Sequence, residues 1–598
     1  MNPSWYPEDD LVKNSNIYQM MLKNGFVDYP SFWKWSATEK ADFWKQTIEN
    51  LHIKFHKTYS SLLDTSQGAE HASWLKGSEL NIVDSCFQND KDAISVIYQN
   101  ENGEVVTVSQ QELETYVNRI ANSIIAQGLK PGDSIAIDMP MTLEAVAIYL
   151  AGIKAGFPVV TIADSFSANE IEVRLRITNP KLLFTQDVIK RAGKNLPLFE
   201  KVLMANPPVT IVVHTDQEKP PLRKKDQLFH DFLIEDDQFQ SCYQDPETTV
   251  TVLFSSGTTG EPKAIPWTHS TPIKCASDAY YHHNLKKGDV VCWPTNLGWM
   301  MGPWLIFASL INKGTIALNY GAPMDDDFGS FVENAKVNML GVVPSIVRHW
   351  KNSQVMEKYD WSSIHCFSST GEASNPDEMK YLMSLGNNKP VIEYCGGTEI
   401  GGGYVTSTLI QPNIASTFST QALGGEFVLL DENAKPSDQG EMYLLPPIMG
   451  LSKSLLNRDH HEVYYKNNPT FQGETLRKHG DELIQLPNGY YRAQGRADDA
   501  MNLGGIKVSS LQIEEVINQL EFIKECAAIA ISPSEGGPAQ LIIYTVSIPS
   551  AYSSDERLSK ARKIIRDKLN PLFKVEQLVD IAVLPRTASG KVMRRNLR

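Results

Sequence analysis

The sequence lacks any uninterrupted apolar run long enough to cross a bilayer, and its start lacks the basic and apolar regions of a secretory signal. Its seven cysteines are dispersed and odd in number, which suits a reducing compartment better than a disulfide framework. It also lacks an excess of positive charge, because 56 basic residues stand against 70 acidic ones and the net charge is −14. This balance argues against nucleic acid or an anionic membrane as the main partner, and we expect a cytoplasmic protein.

What the sequence does contain is a globular composition, 42% hydrophobic and 21% charged, in a chain of 598 residues that is too long for one core. Residues 1–80 are rich in aromatic and charged residues with helix-like segments. Strands and helices then alternate: Ser109 and Glu112 are spaced as a helix capping box, and "SIAIDMP" beyond that helix is typical of a buried strand. The alternation predicts an α/β fold with a largely parallel sheet. The polar, proline-containing residues 205–245 predict surface loops.

The stretch "FSSGTTGEPK" continues the apolar run "TVTVLF", so a glycine-rich loop leaves the end of a buried strand. Open α/β sheets place ligands there, and glycines let backbone N–H groups approach an anion closely. A Walker loop needs four residues between its first glycine and the Gly-Lys pair. Here Gly257, Gly260 and Lys263 are spaced as G-x-x-G-x-x-K, which excludes a P-loop NTPase. For this loop alone, a glycine-rich surface turn is the alternative.

Further motifs follow along the chain: "SSTGEASNP" (Ser368–Pro376), "EYCGGTEIGGGY" (Glu393–Tyr404), "YYRAQGRADDAMNLGGIKVSSLQIEEVI" (Tyr490–Ile517) and "PRTASGKVMRRNLR" (Pro585–Arg598). With the loop, they resemble the phosphate loop, the adenine segment, the Y-G-x-T-E motif, the hinge and the terminal lysine motif of the acyl-adenylate-forming superfamily. Five matches in the family's order make coincidence negligible. Two more segments resemble the acetyl-CoA synthetase branch: "WLKGSELNIVDSCF" (Trp74–Phe87) and "NLGWMMGP" (Asn296–Pro303). The combination is most similar to plant peroxisomal acyl-activating enzymes and their bacterial relatives.

The resemblance implies an α/β fold in three regions: an N-terminal helical extension at residues 1–80, a large AMP-binding domain at 81–497 and a small mobile C-terminal α/β domain at 498–598. It implies an ATP-dependent acyl-CoA ligase. A carboxylic acid and ATP give acyl-AMP and pyrophosphate, and coenzyme A then gives acyl-CoA and AMP. ATP, Mg²⁺ and coenzyme A are the cofactors so implied, with a small carboxylic acid as the remaining partner.

Because the first half-reaction brings anions together, positive charge and positioning must dominate its catalysis. The resemblance makes Lys591 the residue that bridges carboxylate and phosphate; a solvated lysine near a basic C-terminus is the alternative. Glu399 would hold Mg²⁺, since a hard cation prefers carboxylate and water, and Thr398 would donate to phosphate. A loop with a solvated glutamate is the alternative for that pair.

The remaining nucleotide contacts are assigned by the same resemblance. Asp481 matches the aspartate that grips the ribose hydroxyls, although only "GD" survives of the family's Y-R-T-G-D; Arg496 is the second ribose or phosphate contact, or else a surface ion pair. Asp498 matches the hinge about which the small domain rotates, and Gly504 and Gly505 leave room for the pantetheine arm of coenzyme A. The phosphate loop and the adenine segment supply Ser255, Ser256, Gly257, Thr258, Thr259, Gly260, Lys263, Gly371, Glu372 and Ala373.

The acyl pocket is expected to be larger than an acetate pocket. In the acetyl-specific branch a tryptophan two residues before the Thr-Glu pair closes the pocket, and Gly396 stands there in this chain. Losing an indole, which buries about 200 Å², leaves a longer pocket unless another bulky side chain refills it. Trp299, Met300, Met301 and Thr370 are the expected walls, and methionine adapts to flexible chains. Cys395 is expected to pack rather than act as a nucleophile.

Two other functions are compatible with the motifs. An adenylating enzyme could deliver the acyl group to a carrier protein, but no carrier domain with its attachment serine follows in the sequence. A catalytically inactive ligand-binding homologue is disfavoured because Lys591, Glu399, Asp498 and the phosphate loop are all retained. The thirteen histidines show no persuasive metal-ligand spacing. The end "RRNLR" differs from the SKL-type peroxisomal signal, which favours the cytoplasm over the peroxisome.

Overall fold

The structure is a computed structural model that describes residues 2–100, 103–191, 193–216, 218–255, 261–496, 500–533, 536–549, 551–585 and 592–597. Two large sheets, one of seven strands and one of nine, form the framework of the first 420 residues. A four-stranded antiparallel sheet and a C-terminal α/β unit follow. Within the described ranges, every helix is too short or too polar to traverse a lipid bilayer.

The N-terminal region begins with four helices, which aromatic packing fixes to the large sheets, and continues from residue 61 into two short strands. Ser15 and Asp28 cap two of its helices through their side-chain oxygens. Phe43 and Trp44 are fully buried, and the Phe43 ring lies 5.6 Å from that of Tyr281. Its elements are α1 (Asp9–Lys13), α2 (Asn16–Lys23), α3 (Tyr29–Thr38), α4 (Lys40–Asn50), β1 (Ser61–Asp64) and β2 (Ser73–Lys76).

The alternation predicted from residue 90 onwards is confirmed. The elements are β3 (Ile94–Gln99), β4 (Val105–Ser109), α5 (Gln110–Ala126), β5 (Ile135–Asp138), α6 (Leu143–Lys154), β6 (Val159–Ile162), α7 (Ala168–Thr178), β7 (Leu182–Gln186), β8 (Val188–Arg191), β9 (Lys194–Pro197), α8 (Leu198–Met204), β10 (Val209–Val213), β11 (Gln227–Leu228), α9 (Phe229–Phe232), β12 (Thr249–Ser255), β13 (Lys263–Thr268) and α10 (Thr271–Tyr281).

The seven-stranded sheet has the strand order β11-β10-β7-β5-β6-β12-β13, and all its pairs are parallel except β12 with β13. The predicted capping box forms at the start of α5, since Ser109 N–H donates to Glu112 Oε2 at 2.7 Å and Glu112 N–H donates to Ser109 Oγ at 3.2 Å. The prediction of surface loops at 205–245 was wrong for β11 and α9, whose Leu228, Phe229 and Phe232 are buried, and for Val209–Val213. That run forms β10, which is largely buried, because its apolar side chains pack inside the sheet despite the polar, proline-containing flanks.

The nine-stranded sheet has the order β20-β19-β18-β17-β16-β14-β15-β3-β4, with parallel central strands and antiparallel strands at both edges. Its further elements are β14 (Val290–Cys292), α11 (Met301–Ile311), β15 (Thr315–Leu318), α12 (Asp326–Asn334), β16 (Met339–Val342), α13 (Pro344–Ser353), β17 (Cys366–Ser369), α14 (Pro376–Leu385), β18 (Val391–Gly397), β19 (Gly402–Thr406) and β20 (Thr420–Gln421). Carboxyl ends of its parallel strands meet at one edge, which is where α/β sheets bind ligands.

The four-stranded sheet, of order β21-β22-β25-β26, lies next along the chain and is antiparallel throughout. Its region contains β21 (Phe427–Leu430), β22 (Gln439–Leu444), α15 (His460–Tyr464), β23 (Thr470–Phe471), β24 (Glu474–Thr475), β25 (Arg477–Gln485) and β26 (Tyr491–Arg496).

The C-terminal unit has an apolar core of its own, built from residues between Met501 and Val575. Its elements are the hairpin β27 (Ala500–Leu503) and β28 (Ile506–Ser509), then α16 (Ser510–Ile517), β29 (Ile523–Ile531), β30 (Gln540–Ser547), α17 (Ser554–Lys568) and β31 (Val575–Asp580). Trp299, which precedes α11, packs against this core and also against the core of the seven-stranded sheet.

Candidate active site

The glycine-rich loop joins β12 to β13, and the two strand ends that carry it lie beside Glu399. Ser255 ends β12, Lys263 begins β13, and the two are opposite each other in antiparallel register. Ser255 Oγ and Lys263 Nζ each donate to Glu399 Oε1 at 3.0 Å. The hydroxyl of Tyr464 in α15 donates to the same oxygen at 3.2 Å. The other predicted loop residues lie outside the described residues: Ser256, Gly257, Thr258, Thr259 and Gly260.

Glu399 is a buried carboxylate, 3% exposed, in the connection between β18 and β19. The ammonium of Lys263 balances its charge, and that side chain also lies over the Tyr464 ring at 4.8 Å. Among the described residues no three His, Cys, Asp or Glu side chains are grouped to hold a metal ion. A Mg²⁺ ion bound here would take one carboxylate, phosphate oxygens and water, which is the coordination that this ion prefers in nucleotide enzymes. The residues present therefore fit Mg²⁺.

Thr398 precedes Glu399 and is half-buried. Its carbonyl oxygen accepts a hydrogen bond from Trp267 Nε1 at 2.7 Å, which ties the turn to β13. Beneath the turn, the carboxylate of Asp278 accepts from the Tyr394 hydroxyl at 2.6 Å and from the Gly403 backbone N–H at 2.8 Å. These buried hydrogen bonds fix β18 and β19 at the position where Thr398 and Glu399 emerge.

The adenine segment runs from the end of β17 and includes Gly371, Glu372 and Ala373. Gly371 has a φ of +90°, a conformation that favours glycine, and the Ser345 backbone N–H donates to Glu372 Oε2 at 2.8 Å. Burial raises the pKa of Glu372. Ala373 is half-buried between these residues and α14.

A second carboxylate, Glu393, lies against the adenine segment at the buried end of β18. Ser374 Oγ donates to Glu393 Oε1 at 2.6 Å. Burial raises the pKa of Glu393 to about 7, and the hydrogen bond from Ser374 partly opposes that shift. This carboxyl group is therefore harder to ionise than an exposed glutamate.

The two expected ribose contacts lie on neighbouring strands. Asp481 in β25 and Arg496 in β26 are directly opposite each other in register. The side chain of Asp481 is 14% exposed, and its Oδ2 accepts a hydrogen bond from the Tyr404 hydroxyl. The imidazole Nε2 of His479 lies 3.4 Å from the same oxygen. The structure thus places the two positions on adjacent strands and adds, at Asp481, two side chains that the motifs did not indicate.

The glycines expected to line the coenzyme A channel form the turn of the β27–β28 hairpin, with φ of +58° at Gly504 and +77° at Gly505. This turn lies against the adenine segment, because a Cβ added to Gly371 would be 3.2 Å from the Gly505 Cα. It also lies against Val343, since a Cβ added to Gly505 would be 3.2 Å from Val343 Cγ1. The expected hinge Asp498 and the expected catalytic Lys591 lie outside the described residues.

The expected acyl-pocket residues come from three segments: the start of α11, the end of β17 and strand β18. Trp299 packs edge-to-face on Phe166 with ring centroids 5.1 Å apart, while Met300 and Met301 begin α11. Thr370 follows β17, and its backbone N–H donates to the Val342 carbonyl at 3.3 Å.

Gly396 lies at an irregularity in the pairing of β18 with β19. A Cβ added there would be 1.8 Å from the Gly402 carbonyl oxygen and 2.8 Å from the Gly403 Cα. Backbone atoms of β19, rather than a bulky side chain, therefore occupy the space into which a side chain at residue 396 would project.

Three side chains of the site were not predicted from the sequence: Tyr464, Tyr404 and His479. Tyr404 lies within the motif "EYCGGTEIGGGY", and His479 stands just before the "GD" pair, where the family pattern has threonine. That departure was the available signal for His479. Nothing in the local sequence marks Tyr464 as a partner of Glu399, because the two are 65 residues apart in the chain.

The chain matches known families over most of its length. The family model described as AMP-binding enzyme matches residues 84–450, and the model for the acetyl-coenzyme A synthetase N-terminus matches residues 29–86. The chain belongs to the AMP-binding enzyme family.

Particular relatives and one solved structure agree with this assignment. A protein named "Probable acyl-activating enzyme 17, peroxisomal" from Arabidopsis thaliana is 44% identical, over 100% of this chain and 88% of the relative. A hexanoyl-CoA synthase from Cannabis sativa is 42% identical with the same shares covered. The acetoacetyl-CoA synthetase of Streptomyces lividans has the same fold, with a TM-score of 0.78 at 23% identity over 99% of this chain and 94% of that one.

The chain is accordingly an AMP-forming acid–thiol ligase, an ATP-dependent acyl-CoA synthetase. Its substrates are a carboxylic acid, ATP and coenzyme A, and Mg²⁺ accompanies the nucleotide. The α/β fold, with a large domain followed by a C-terminal domain, is that of acyl-CoA synthetases, as expected from the motifs.

Proposed function

We propose that the site described above performs both half-reactions and that its residues have the roles expected from the motifs. The observation that carries this proposal is the meeting of two distant motifs at one atom. Lys263 of the phosphate-loop hairpin and Glu399 of the "TE" motif are 136 residues apart in the chain, yet Lys263 Nζ is 3.0 Å from Glu399 Oε1. A buried carboxylate with an adjacent ammonium and hydroxyl suits triphosphate and Mg²⁺ together.

In the first half-reaction, Lys263 and the loop hydroxyls would bind phosphate, while Glu399 would hold Mg²⁺, which neutralises phosphate charge when bound. Thr398 would donate to phosphate from a turn that Trp267 holds rigid. Asp481 and Arg496 would bind the ribose from adjacent strands. Lys591 would bring the acid's carboxylate and the α-phosphate together. Preorganised charge of this kind is the main source of rate enhancement in phosphoryl chemistry.

In the second half-reaction, the Gly504–Gly505 turn would line the channel through which coenzyme A reaches acyl-AMP. The contact of Gly505 with Gly371 and Val343 supports this arrangement, because it brings a turn without side chains to the edge of the nucleotide site. Rotation about Asp498 would replace this turn by the Lys591 loop for the first half-reaction. One site would then serve two reactions in succession.

We further propose that the acid is larger than acetate. The support is the residue at position 396, where a glycine stands in place of the tryptophan that closes an acetate pocket. The flexible walls Met300 and Met301, and the name of the hexanoyl-CoA synthase relative, point to the same substrate class. We propose a medium-chain or aryl-alkanoic acid.

The test is a pair of assays on the full chain. Acid-dependent exchange of labelled pyrophosphate into ATP measures the first half-reaction, and coenzyme A-dependent release of AMP measures the whole. Straight-chain acids of two to ten carbons are offered in parallel. Each further buried methylene contributes about 0.8 kcal/mol, so hexanoate, with four more methylenes, should exceed acetate in kcat/KM by about 200-fold. Equal use of acetate and hexanoate would contradict the proposal for the acid.

We propose a reducing compartment inside the cell, the cytoplasm in the first instance. All seven cysteines are free thiols, which supports a reducing environment. The Arabidopsis relatives carry "peroxisomal" in their names, so the peroxisome is the rival location. Imaging the untagged protein by immunofluorescence in its own cells, against cytosolic and peroxisomal markers, separates the two.

A further inference from the structure

Asp481, the proposed ribose contact, is held by a tyrosine from a different sheet. Tyr404 lies in β19 of the nine-stranded sheet, and its hydroxyl donates to Asp481 Oδ2 in β25 of the four-stranded sheet. Tyr404 is only 4% exposed. Burial and the Asp481 charge raise the pKa of Tyr404 well above its ordinary value, so the hydroxyl keeps its proton and acts as a donor.

The Tyr404 ring has little freedom to move. Phe427 meets it edge-on with ring centroids 5.9 Å apart, and the His479 ring lies 5.0 Å away. The Cys395 sulfur is 3.0 Å from the Tyr404 oxygen. Because the tyrosine proton is directed to Asp481, the thiol is the donor to the tyrosine oxygen. Cys395 therefore supports Tyr404 through a hydrogen bond.

His479 approaches the same carboxylate oxygen from its own strand. Its Nε2 is 3.4 Å from Asp481 Oδ2, and its side chain is only 4% exposed. A Cβ added to Gly397 would be 2.9 Å from His479 Cε1 and 3.1 Å from Glu399 Oε2. The imidazole and the Glu399 carboxylate therefore both lie on the side of Gly397 to which a side chain would project. His479 is thus close both to the proposed ribose contact and to the proposed Mg²⁺ ligand.

We propose that Tyr404 and His479 are positioning residues that fix the Asp481 carboxylate for the ribose of ATP. This inference rests on the proposed ribose role of Asp481. An aspartate on a strand rotates about two side-chain bonds, and binding a hydroxyl requires that it adopt one orientation. The Tyr404 hydroxyl that donates to Oδ2 and the His479 imidazole beside the same oxygen fix that orientation before the nucleotide arrives. A carboxylate so held discriminates more sharply between ribose and deoxyribose.

The test compares ATP with 2′-deoxy-ATP and 3′-deoxy-ATP in pyrophosphate exchange by the full chain at saturating acid. Each deoxynucleotide lacks one hydroxyl that would hydrogen-bond to the charged Asp481. The wild type should therefore prefer ATP over either deoxynucleotide by about tenfold or more in kcat/KM. Tyr404→Phe keeps the ring and removes only the hydroxyl. We expect its preference for ATP to fall to about threefold or less, with the KM for the acid unchanged. A purely structural role would lower the activity with all three nucleotides equally.

Tyr491→Phe is the matched control. Its hydroxyl accepts hydrogen bonds from Gln421 and Gln485 at 3.2 Å, and its ring packs on Phe427, but it does not contact Asp481. This variant should keep the wild-type preference. At His479, the Gln variant retains an N–H donor and should keep more of the preference than the Ala variant. Calorimetric titration with AMP and 2′-deoxy-AMP gives the same comparison without turnover.

The Asp481→Asn variant distinguishes a failure of the positioning role of Tyr404 and His479 from a failure of the proposed ribose role of Asp481. If Asp481→Asn loses the preference while Tyr404→Phe and His479→Ala keep the wild-type value, the positioning role is overturned and the ribose role stands. If Asp481→Asn keeps the preference, or if the wild type uses ATP and the deoxynucleotides equally, the ribose role fails and the inference fails with it. Loss in Asp481→Asn, Tyr404→Phe and His479→Ala, with retention in Tyr491→Phe, supports both.

Discussion

Gly371 and Gly505 meet where the large domain contacts the C-terminal unit. A Cβ on Gly371 would be 3.2 Å from the Gly505 Cα and 3.5 Å from the Gly505 carbonyl oxygen. A side chain at Gly371 would therefore crowd the Gly505 backbone, and the φ of +90° at Gly371 also favours glycine. In the proposed mechanism, this contact defines the arrangement in which coenzyme A reaches acyl-AMP.

Changing Glu399 to Gln should weaken the use of Mg²⁺ without unfolding the protein. The substitution keeps the shape of the side chain and removes the charge that a hard cation requires. We expect kcat/KM to fall by about 100-fold and the Mg²⁺ concentration for half-maximal activity to rise by about tenfold. Initial rates across a Mg²⁺ titration measure both.

Glu441→Gln is the control for that substitution. Its carboxylate also contacts a lysine and a tyrosine, Lys478 at 3.2 Å and Tyr443 at 3.0 Å, but it lies on β22 outside the site. Its Mg²⁺ dependence should match that of the wild type. An unchanged Mg²⁺ requirement in Glu399→Gln would remove Glu399 from the proposed metal site.

Gly396 should tolerate no side chain. Because its Cβ would be 1.8 Å from the Gly402 oxygen, Gly396→Ala must shift β19 and should lower the free energy of unfolding by about 1–3 kcal/mol. Gly321→Ala is the control, since its Cβ would meet only the Asn319 side chain at 3.6 Å, and it should change stability by less than about 0.5 kcal/mol. Urea denaturation measures both variants. Wild-type stability in Gly396→Ala would show that the backbone there adjusts freely.

Chain-length preference is better tested at Thr370 than at Gly396. A phenylalanine at Thr370 should fill part of the proposed acyl pocket while leaving the β18–β19 pairing unchanged. We expect kcat/KM for hexanoate to fall by about tenfold or more and that for acetate to change by less than about threefold. The panel of straight-chain acids provides the measurement. Equal losses for acetate and hexanoate would place Thr370 outside the pocket.

The sequence predicted those features that depend on local pattern. The capping box at Ser109 and the strand formed by the apolar run before the glycine-rich loop follow from residue types a few positions apart. Strand β10 was missed because its five apolar residues stand between polar, proline-containing flanks that dominate the local composition.

Features that depend on tertiary pairing could not be predicted from the sequence. The Tyr404–Asp481 hydrogen bond joins two sheets, and no local spacing relates residues 77 positions apart. At Gly396 the sequence indicated a missing indole, yet it could not show that an irregular strand pairing directs the Cβ at backbone. Both depend on how one strand meets another in space.

Asp138 should make stability depend on pH. It is fully buried at the end of β5, neither carboxylate oxygen has a hydrogen-bond partner among the described residues, and burial raises its pKa to about 7 against the opposing charges of Lys201 and Arg174. The unfolded chain has a pKa near 3.9, so between about pH 4 and pH 7 the folded state binds the extra proton. The contribution of Asp138 to the free energy of unfolding is therefore lost as the pH rises to 7, by up to about 1.4 kcal/mol per pH unit. Above pH 7 there is no further loss.

Asn at this position carries no titratable proton. The free energy of unfolding of Asp138→Asn relative to the wild type should thus increase from pH 5 to pH 7 and then level off, as measured by urea denaturation at each pH. Asp9→Asn, at an exposed position, is the control and should show no such trend. A constant difference between Asp138→Asn and the wild type would mean that Asp138 is already ionised at pH 5.

The central claim, that one site alternates between two arrangements, is tested most directly by measuring both half-reactions in Lys591→Ala and in Gly505→Leu. Gly473→Leu is the control, because Gly473 also has a positive φ but its Cβ would meet nothing within 4 Å. We expect Lys591→Ala to abolish pyrophosphate exchange yet form thioester from supplied acyl-AMP. We expect Gly505→Leu to keep exchange within about threefold of the wild type and to lose thioester formation by about 100-fold. Equal loss of both half-reactions in each variant would contradict the alternating arrangement.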